Sequence, residues 1–228
     1  MAEAIVFDLD DTLFPEREYV ESGLRVVGAW LAEKFGIAAA TSELLAEFAR
    51  GERKGAFDRQ LRRHGLSPAL LPGLVTLYRE HSPRIALRPG FSQLVGELRR
   101  TRAVGVLTDG PLVSQRRKID ALGLAPLVDA IWINDELGPA HWKPSPSGFE
   151  RMEGLLAAIH DRIPDGYCYV GDNPGKDFVA ARRRKWFTIE FRATDRLDPR
   201  PEPPEPEFAA AAEVATVDAL AVLLRSRP

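Results

Sequence analysis

Apolar residues follow two rhythms along this chain, and the rhythm changes near residue 14 and again near residue 88. Ala4 to Phe7 is a short unbroken apolar run that ends in acid, the pattern of a strand buried on both faces. Beyond Phe14, residues Val20, Leu24, Val27, Leu31 and Phe35 recur at helical spacing and mark one face of a helix. Gly36 ends it, and Thr41 is placed to cap a second helix carrying Leu44, Leu45 and Phe48. A third helix is expected near Ala56 to Arg63, stopping at His64-Gly65, and a fourth from about Pro68 to Glu80. No strand signal interrupts this block. Residues 15–87 therefore read as an all-helical insertion between the first and second strands of a core formed by residues 1–14 and 88–228.

Arg88-Pro89-Gly90 returns the chain to alternation. Phe91, Leu94, Val95 and Leu98 form a helix face, and Val104 to Leu107 forms a strand. Pro111 suits the first turn of the next helix and Gly123 its end. Further strands are expected at Ala130 to Ile133, Tyr167 to Val170 and Phe187 to Phe191, with Phe149, Met152, Leu156 and Ile159 marking a helix among them. Strands alternating with helices predict an α/β fold, a Rossmann-like doubly wound parallel sheet with helices on both faces. Asp198 to Glu207 holds five prolines and reads as an extended surface loop. Val214 to Val217 is placed as a last edge strand, with Leu220, Leu223 and Leu224 on a closing helix.

Composition narrows the class. At 228 residues and 45% apolar, the chain can bury one large core and carry a smaller insertion. A net charge of −2 supplies no basic field for nucleic acid. The single cysteine, Cys168, cannot form an internal disulfide and lies in an apolar run. No apolar stretch approaches the length of a membrane span, and Glu3 and Asp8 flank too short a run for a secretory signal. A cytoplasmic protein is expected. The histidines show no metal-ligand spacing, so no zinc site is expected. Oligomeric state is not legible.

The chemistry begins where the first strand ends. In a strand, positions i and i+2 face the same way, so Asp8 and Asp10 share one side. Two crowded carboxylates need a cation or a proton, unless they simply form an acidic turn. Three later stretches bear on that choice: Val106-Leu107-Thr108-Asp109-Gly110, Trp142-Lys143-Pro144-Ser145-Pro146, and Val170 through Asp177. With Asp8-Leu9-Asp10-Asp11-Thr12 they stand in the order found in the haloacid dehalogenase superfamily. The chain resembles its phosphatase branch from Ala4 to about Leu224.

That resemblance implies a site and a reaction. Strands one, two and four would be neighbours, so that Asp8, Thr108 and Asp172 meet where ligands bind in such sheets. Asp8 would be the nucleophile toward phosphorus and Asp10 the general acid and base. Mg²⁺ would be held by Asp8, Asp172 and the backbone carbonyl of Asp10. Asp177 would bind metal-bound water or orient Lys143. Thr108, the backbone N–H groups of Asp109 and Gly110, and Lys143 would receive the phosphate. The expected activity is Mg²⁺-dependent hydrolysis of a small phosphorylated metabolite through an aspartyl-phosphate. The rivals are a phosphomutase on the same scaffold, a halide-releasing dehalogenase, and an idle binding module. The insertion would be a specificity cap. Within it Arg17, Tyr19, Arg59, Arg62, Arg63 and His64 are candidates to face substrate. A catalytic role for Lys118 is not expected.

Overall fold

The computed structural model describes residues 3–160 and 163–227. The chain divides into two compact units, one made of Met1–Glu16 with Ala86–Pro228, the other of Arg17–Ile85. The first unit is built on a six-stranded sheet: β1 (Ala4–Phe7), β2 (Val104–Thr108), β3 (Ala130–Ile133), β4 (Tyr167–Gly171), β5 (Phe187–Phe191) and β6 (Ala212–Val214). All neighbours are parallel, in the order β3-β2-β1-β4-β5-β6. β1 is the centre. Its four residues are wholly buried, which is why they form an unbroken apolar run rather than an alternating one. The direction of strand order reverses between β1 and β4, so the crevice beyond their carboxyl ends is where this topology binds ligands.

Helices α5 (Phe91–Leu98), α6 (Leu112–Ala121), α7 (Ser147–His160), α8 (Val179–Arg183) and α9 (Val217–Arg225) belong to this unit. One core cluster packs Phe149, Met152 and Leu156 of α7 against Val6, Leu107, Trp132 and Tyr169. Phe149 meets the rings of Tyr169 and Trp186 edge-on at 5.0 and 5.3 Å. Ile159, expected on the same helix face, is 52% exposed. The last strand starts two residues and ends three residues earlier than its apolar run suggested, because an edge strand is set by its backbone pairing with β5 as much as by burial. The proline-rich segment after Asp198 is tied down: Arg200 donates to the buried carboxylate of Glu190 at 2.9 Å.

The second unit contains the remainder of α1 (Glu16–Phe35), with α2 (Ala40–Ala49), α3 (Ala56–Arg63) and α4 (Leu71–Glu80), the last preceded by a 3₁₀ turn at Pro68–Leu70. Thr41 does not cap α2; the cap position is Ala39, and Thr41 lies in the first turn. It packs against α1 instead. A Cβ built on Gly28 would stand 2.5 Å from the Thr41 Cα, so only glycine admits this approach. Between α2 and α3, the buried carboxylate of Glu47 accepts from Arg59 at 3.0 Å and from Arg63 at 2.7 Å, and Glu43 lies 2.8 Å from the His64 ring. Arg59, Arg63 and His64 thus hold their own helices together, and Tyr19 is buried, with its hydroxyl 3.5 Å from the Tyr78 carbonyl.

The chain leaves and rejoins the sheet unit at one place. The Arg88 N–H donates to the Leu13 carbonyl at 2.9 Å, and its guanidinium donates to the Thr12 carbonyl at 3.1 Å and pairs with Asp195 at 2.7 Å.

Candidate active site

Asp8 directly follows β1, Thr108 ends β2, and Asp172 directly follows β4. Because those strands are neighbours, the three residues come together, as the resemblance implied. Asp8 is 2% exposed. Burial pushes its carboxyl up to about 6, against the pull of Lys143. The Lys143 ammonium lies 2.6 Å from Asp8 Oδ1, 2.8 Å from Asp177 Oδ1 and 2.7 Å from the Tyr169 hydroxyl. Burial opposes the charge on that ammonium; Asp177 and Asp8 outweigh it and hold the proton well above the ordinary lysine range. Lys143 is carried by the segment between the 3₁₀ turn Pro139–His141 and α7, and its backbone N–H donates to Asp109 Oδ1 at 3.1 Å.

Asp172 is raised well above the carboxylate range by burial and by Asp177 and Asp8 beside it. Arg196 pairs with it at 2.9 Å. Asp177 is also buried, yet it is held below its ordinary value, because Lys143 and Lys176 outweigh the burial. Its Oδ2 accepts from the backbone N–H groups of Asp172 at 3.1 Å and Asn173 at 2.8 Å, which fixes the turn after β4. The turn depends on glycine: a Cβ on Gly171 would stand 2.7 Å from that oxygen. Asp177 precedes α8 instead of lying in its first turn.

One carboxylate oxygen from each of Asp8, Asp172 and Asp177 falls within 4.8 Å of the others, and all three side chains are buried. Three converging hard oxygens suit a divalent cation that prefers oxygen ligands, such as Mg²⁺ or Ca²⁺. The fit places Asp177 in the acidic cluster itself. The Asp10 side chain turns elsewhere: Lys118 Nζ is 2.6 Å from its Oδ1, and Gln115 Nε2 donates to its Oδ2 at 2.8 Å. Gln115 Nε2 also lies 2.6 Å from Thr108 Oγ1 and from the Asp109 carbonyl. The Asp109 carboxylate accepts from Asn134 at 2.8 Å and has the Lys176 ammonium at 3.6 Å. Asp11 adopts a left-handed backbone (φ 53°), and its carboxylate accepts from the N–H groups of Glu16 and Leu197, both at 2.9 Å.

A family model of haloacid dehalogenase-like hydrolases matches residues 2–183. The chain belongs to that family. Among relatives of this haloacid dehalogenase-like hydrolase is a glyceraldehyde 3-phosphate phosphatase of Methanopyrus kandleri, 27% identical over 91% of this chain and 92% of the relative. Another is a phosphoserine phosphatase of Thermus thermophilus, 31% identical over 67% of this chain and 61% of the relative. In fold it is similar to the haloacid dehalogenase-like hydrolase YfnB of Bacillus subtilis, a structure bound to magnesium, at a TM-score of 0.65 and 18% identity over 98% of each chain.

Three residues of this hydrolase's site, Gln115, Tyr169 and Arg196, escaped the sequence reading, and a fourth, Lys118, was noticed but given no catalytic part. Gln115 and Lys118 stand at i and i+3 of α6, a spacing that marks a shared face but not what it faces. Tyr169 looked like a core strand residue, and Arg196 lies in an irregular segment with no pattern at all.

Proposed function

We propose that the chain is a Mg²⁺-dependent phosphomonoester hydrolase that works through an aspartyl-phosphate on Asp8 and acts on a small phosphorylated metabolite. The observation that carries this reading is the buried Asp8 carboxylate at the sheet's switch point, paired to Lys143 at 2.6 Å with Asp172 and Asp177 beside it. The two curated relatives are named for small three-carbon phosphate esters, which supports the substrate class.

In the first step an Asp8 oxygen attacks phosphorus and the bond to the ester oxygen breaks, while Asp10 gives its proton to the departing alkoxide. In the second, water attacks phosphorus, Asp10 takes its proton, and the Asp8–phosphorus bond breaks to release phosphate. With its carboxyl near 6, Asp8 is largely ionised at neutral pH, as a nucleophile must be. The Lys143 ammonium and the Thr108 hydroxyl would bind the phosphoryl oxygens, and Lys143 separates Asp8 from Asp177. Asp8, Asp172 and Asp177, with the Asp10 backbone carbonyl, would hold Mg²⁺, which offsets negative charge on substrate and acids. Residues 15–87 would cover the site and choose among substrates. Arg17 and Arg62 remain candidates there, whereas Arg59, Arg63 and His64 hold Glu47 and Glu43.

The test is phosphate release over a panel of small phosphate esters with Mg²⁺ and with excess chelator. Release only with metal, together with a phosphate-sized mass gain on the peptide containing Asp8 in Asp10→Asn, supports the reading. Full rates in chelator would sink the metal assignment, and an isomeric product in place of free phosphate would make the protein a mutase.

A further inference from the structure

We propose that α6 carries a positioning pair, Gln115 and Lys118, which holds the Asp10 carboxylate in its proton-transfer orientation and ties it to the phosphate-binding Thr108. The proposal rests on the hydrolase reading above for Asp10's role, and on contacts for the rest.

Each oxygen of Asp10 has its own donor. Lys118 Nζ takes Oδ1 at 2.6 Å, and Gln115 Nε2 takes Oδ2 at 2.8 Å. Two donors on two oxygens fix the plane of a carboxylate, which one donor cannot do. Both donors come from one face of one helix, three residues apart. That helix follows directly from Thr108-Asp109-Gly110, and its start is pinned by the Leu112 N–H donating to Asp135 Oδ2 at 2.8 Å. The helix that positions the phosphate-binding residues therefore also positions Asp10.

Gln115 makes the link explicit. Its amide nitrogen has two hydrogens but three acceptors in range: Asp10 Oδ2, Thr108 Oγ1 at 2.6 Å and the Asp109 carbonyl at 2.6 Å. Its carbonyl oxygen is buried with no partner, so the side chain is held by its nitrogen alone. A glutamine 1% exposed and committed in this way is ill suited to a purely structural part, because an unpaired buried carbonyl is unfavourable. Lys118 is 4% exposed, and its ammonium lies 3.8 Å from Glu16 Oε1 as well as against Asp10. Its charge thus faces two acids at the turn that follows Asp10.

The experiment compares Gln115→Leu and Lys118→Met with the parent on two substrates, an alkyl phosphate and p-nitrophenyl phosphate. A poor leaving group needs a correctly aimed acid; a good one does not. Misaiming Asp10 should lower kcat on the alkyl ester by about 10- to 100-fold more than on the nitrophenyl ester, with a smaller change in KM. Lys118→Arg, which keeps the charge, should recover part of the alkyl-ester rate. In an Asp10→Asn background, Lys118→Met should cost little more. Equal losses on both esters, or full additivity with Asp10→Asn, would overturn the proposal. If the parent cleaves no phosphate ester at all, the hydrolase reading fails. The pair is then judged by the same double-mutant cycle read in Tm: non-additive shifts support the Asp10–Lys118 contact, and additive shifts overturn it.

Discussion

Asp8 carries conflicting demands: it must be ionised to attack phosphorus, yet it is buried beside Asp172 and Asp177. Asp8→Asn removes the nucleophile and should lower turnover by several powers of ten, checked by phosphate release. The same residue leaves a mark on stability. Its carboxyl rises from 3.8 unfolded to about 6 folded, so between these values the folded chain holds a proton that the unfolded chain has lost. Stability from this group is therefore fully present below the lower value and is lost as pH rises toward 6. Asp172 shifts the same way, whereas Asp177, held low by Lys143, acts in the opposite sense below its unfolded value of 3.8. In chelator, Tm should fall more steeply from pH 4 to 6 in the parent than in Asp8→Asn; equal slopes would refute the assignment. At this scale the sequence singled out Asp8, Asp10, Thr108, Lys143 and Asp172 as candidates, because each stands in a recognisable stretch. It did not disclose Gln115, and it gave Lys118 no catalytic part, since a polar stripe on a helix looks the same whether it faces water or a site.

Helices and strands were the most legible level. The apolar pattern located β1 and the four helices of the second unit, because burial dictates which positions are apolar. Two details were not legible. Thr41 looked like a cap, but a close α1–α2 approach takes it up instead. Arg59, Arg63 and His64 looked like candidates to face substrate, although Glu43 and Glu47 of α2 absorb them. Both readings have measurable consequences. Gly28→Ala places a methyl group against the Thr41 backbone and should destabilise by about 1–3 kcal/mol in urea unfolding, as overpacking does. Arg59→Ala leaves the buried Glu47 with Arg63 alone and should cost about 2 kcal/mol, in the range for hydrogen bonds to charged groups. Trp30 lies in this unit, so its fluorescence reports both transitions.

For the whole molecule, alternation of strands and helices was enough to predict a parallel doubly wound sheet. It was not enough to predict the strand order, which depends on pairings that periodicity does not encode; the resemblance supplied the neighbourhood of strands one, two and four. The division at Arg17 and Ile85 falls within two residues of the boundaries read from the sequence. Replacing residues 17–85 with a short Gly/Ser linker tests the proposed cap. The trimmed protein should keep Mg²⁺-dependent cleavage of p-nitrophenyl phosphate and lose its ranking among large and small esters. An unchanged ranking would show that those residues do not read substrate.

The single meeting point of Arg88 with Leu13 bears on how the protein is made. β1 emerges first during synthesis, but its partners β2 and β4 follow only after about a hundred and about 160 further residues. At ribosomal speed this central strand waits on the order of 10 s without a neighbour. The second unit is all-helical, and helical bundles as a class fold in about milliseconds or less once complete. Its two ends are already joined, with the Arg84 N–H donating to the Ser22 hydroxyl at 2.9 Å. Folding it first brings Leu13 to Arg88 and replaces a long, slack loop with a short one before β2 is finished. Nascent chains arrested with residues 1–100 outside the ribosome should therefore protect residues 17–85 from protease while leaving β1 cleavable. Simultaneous protection of both, or of neither, would rule out this order.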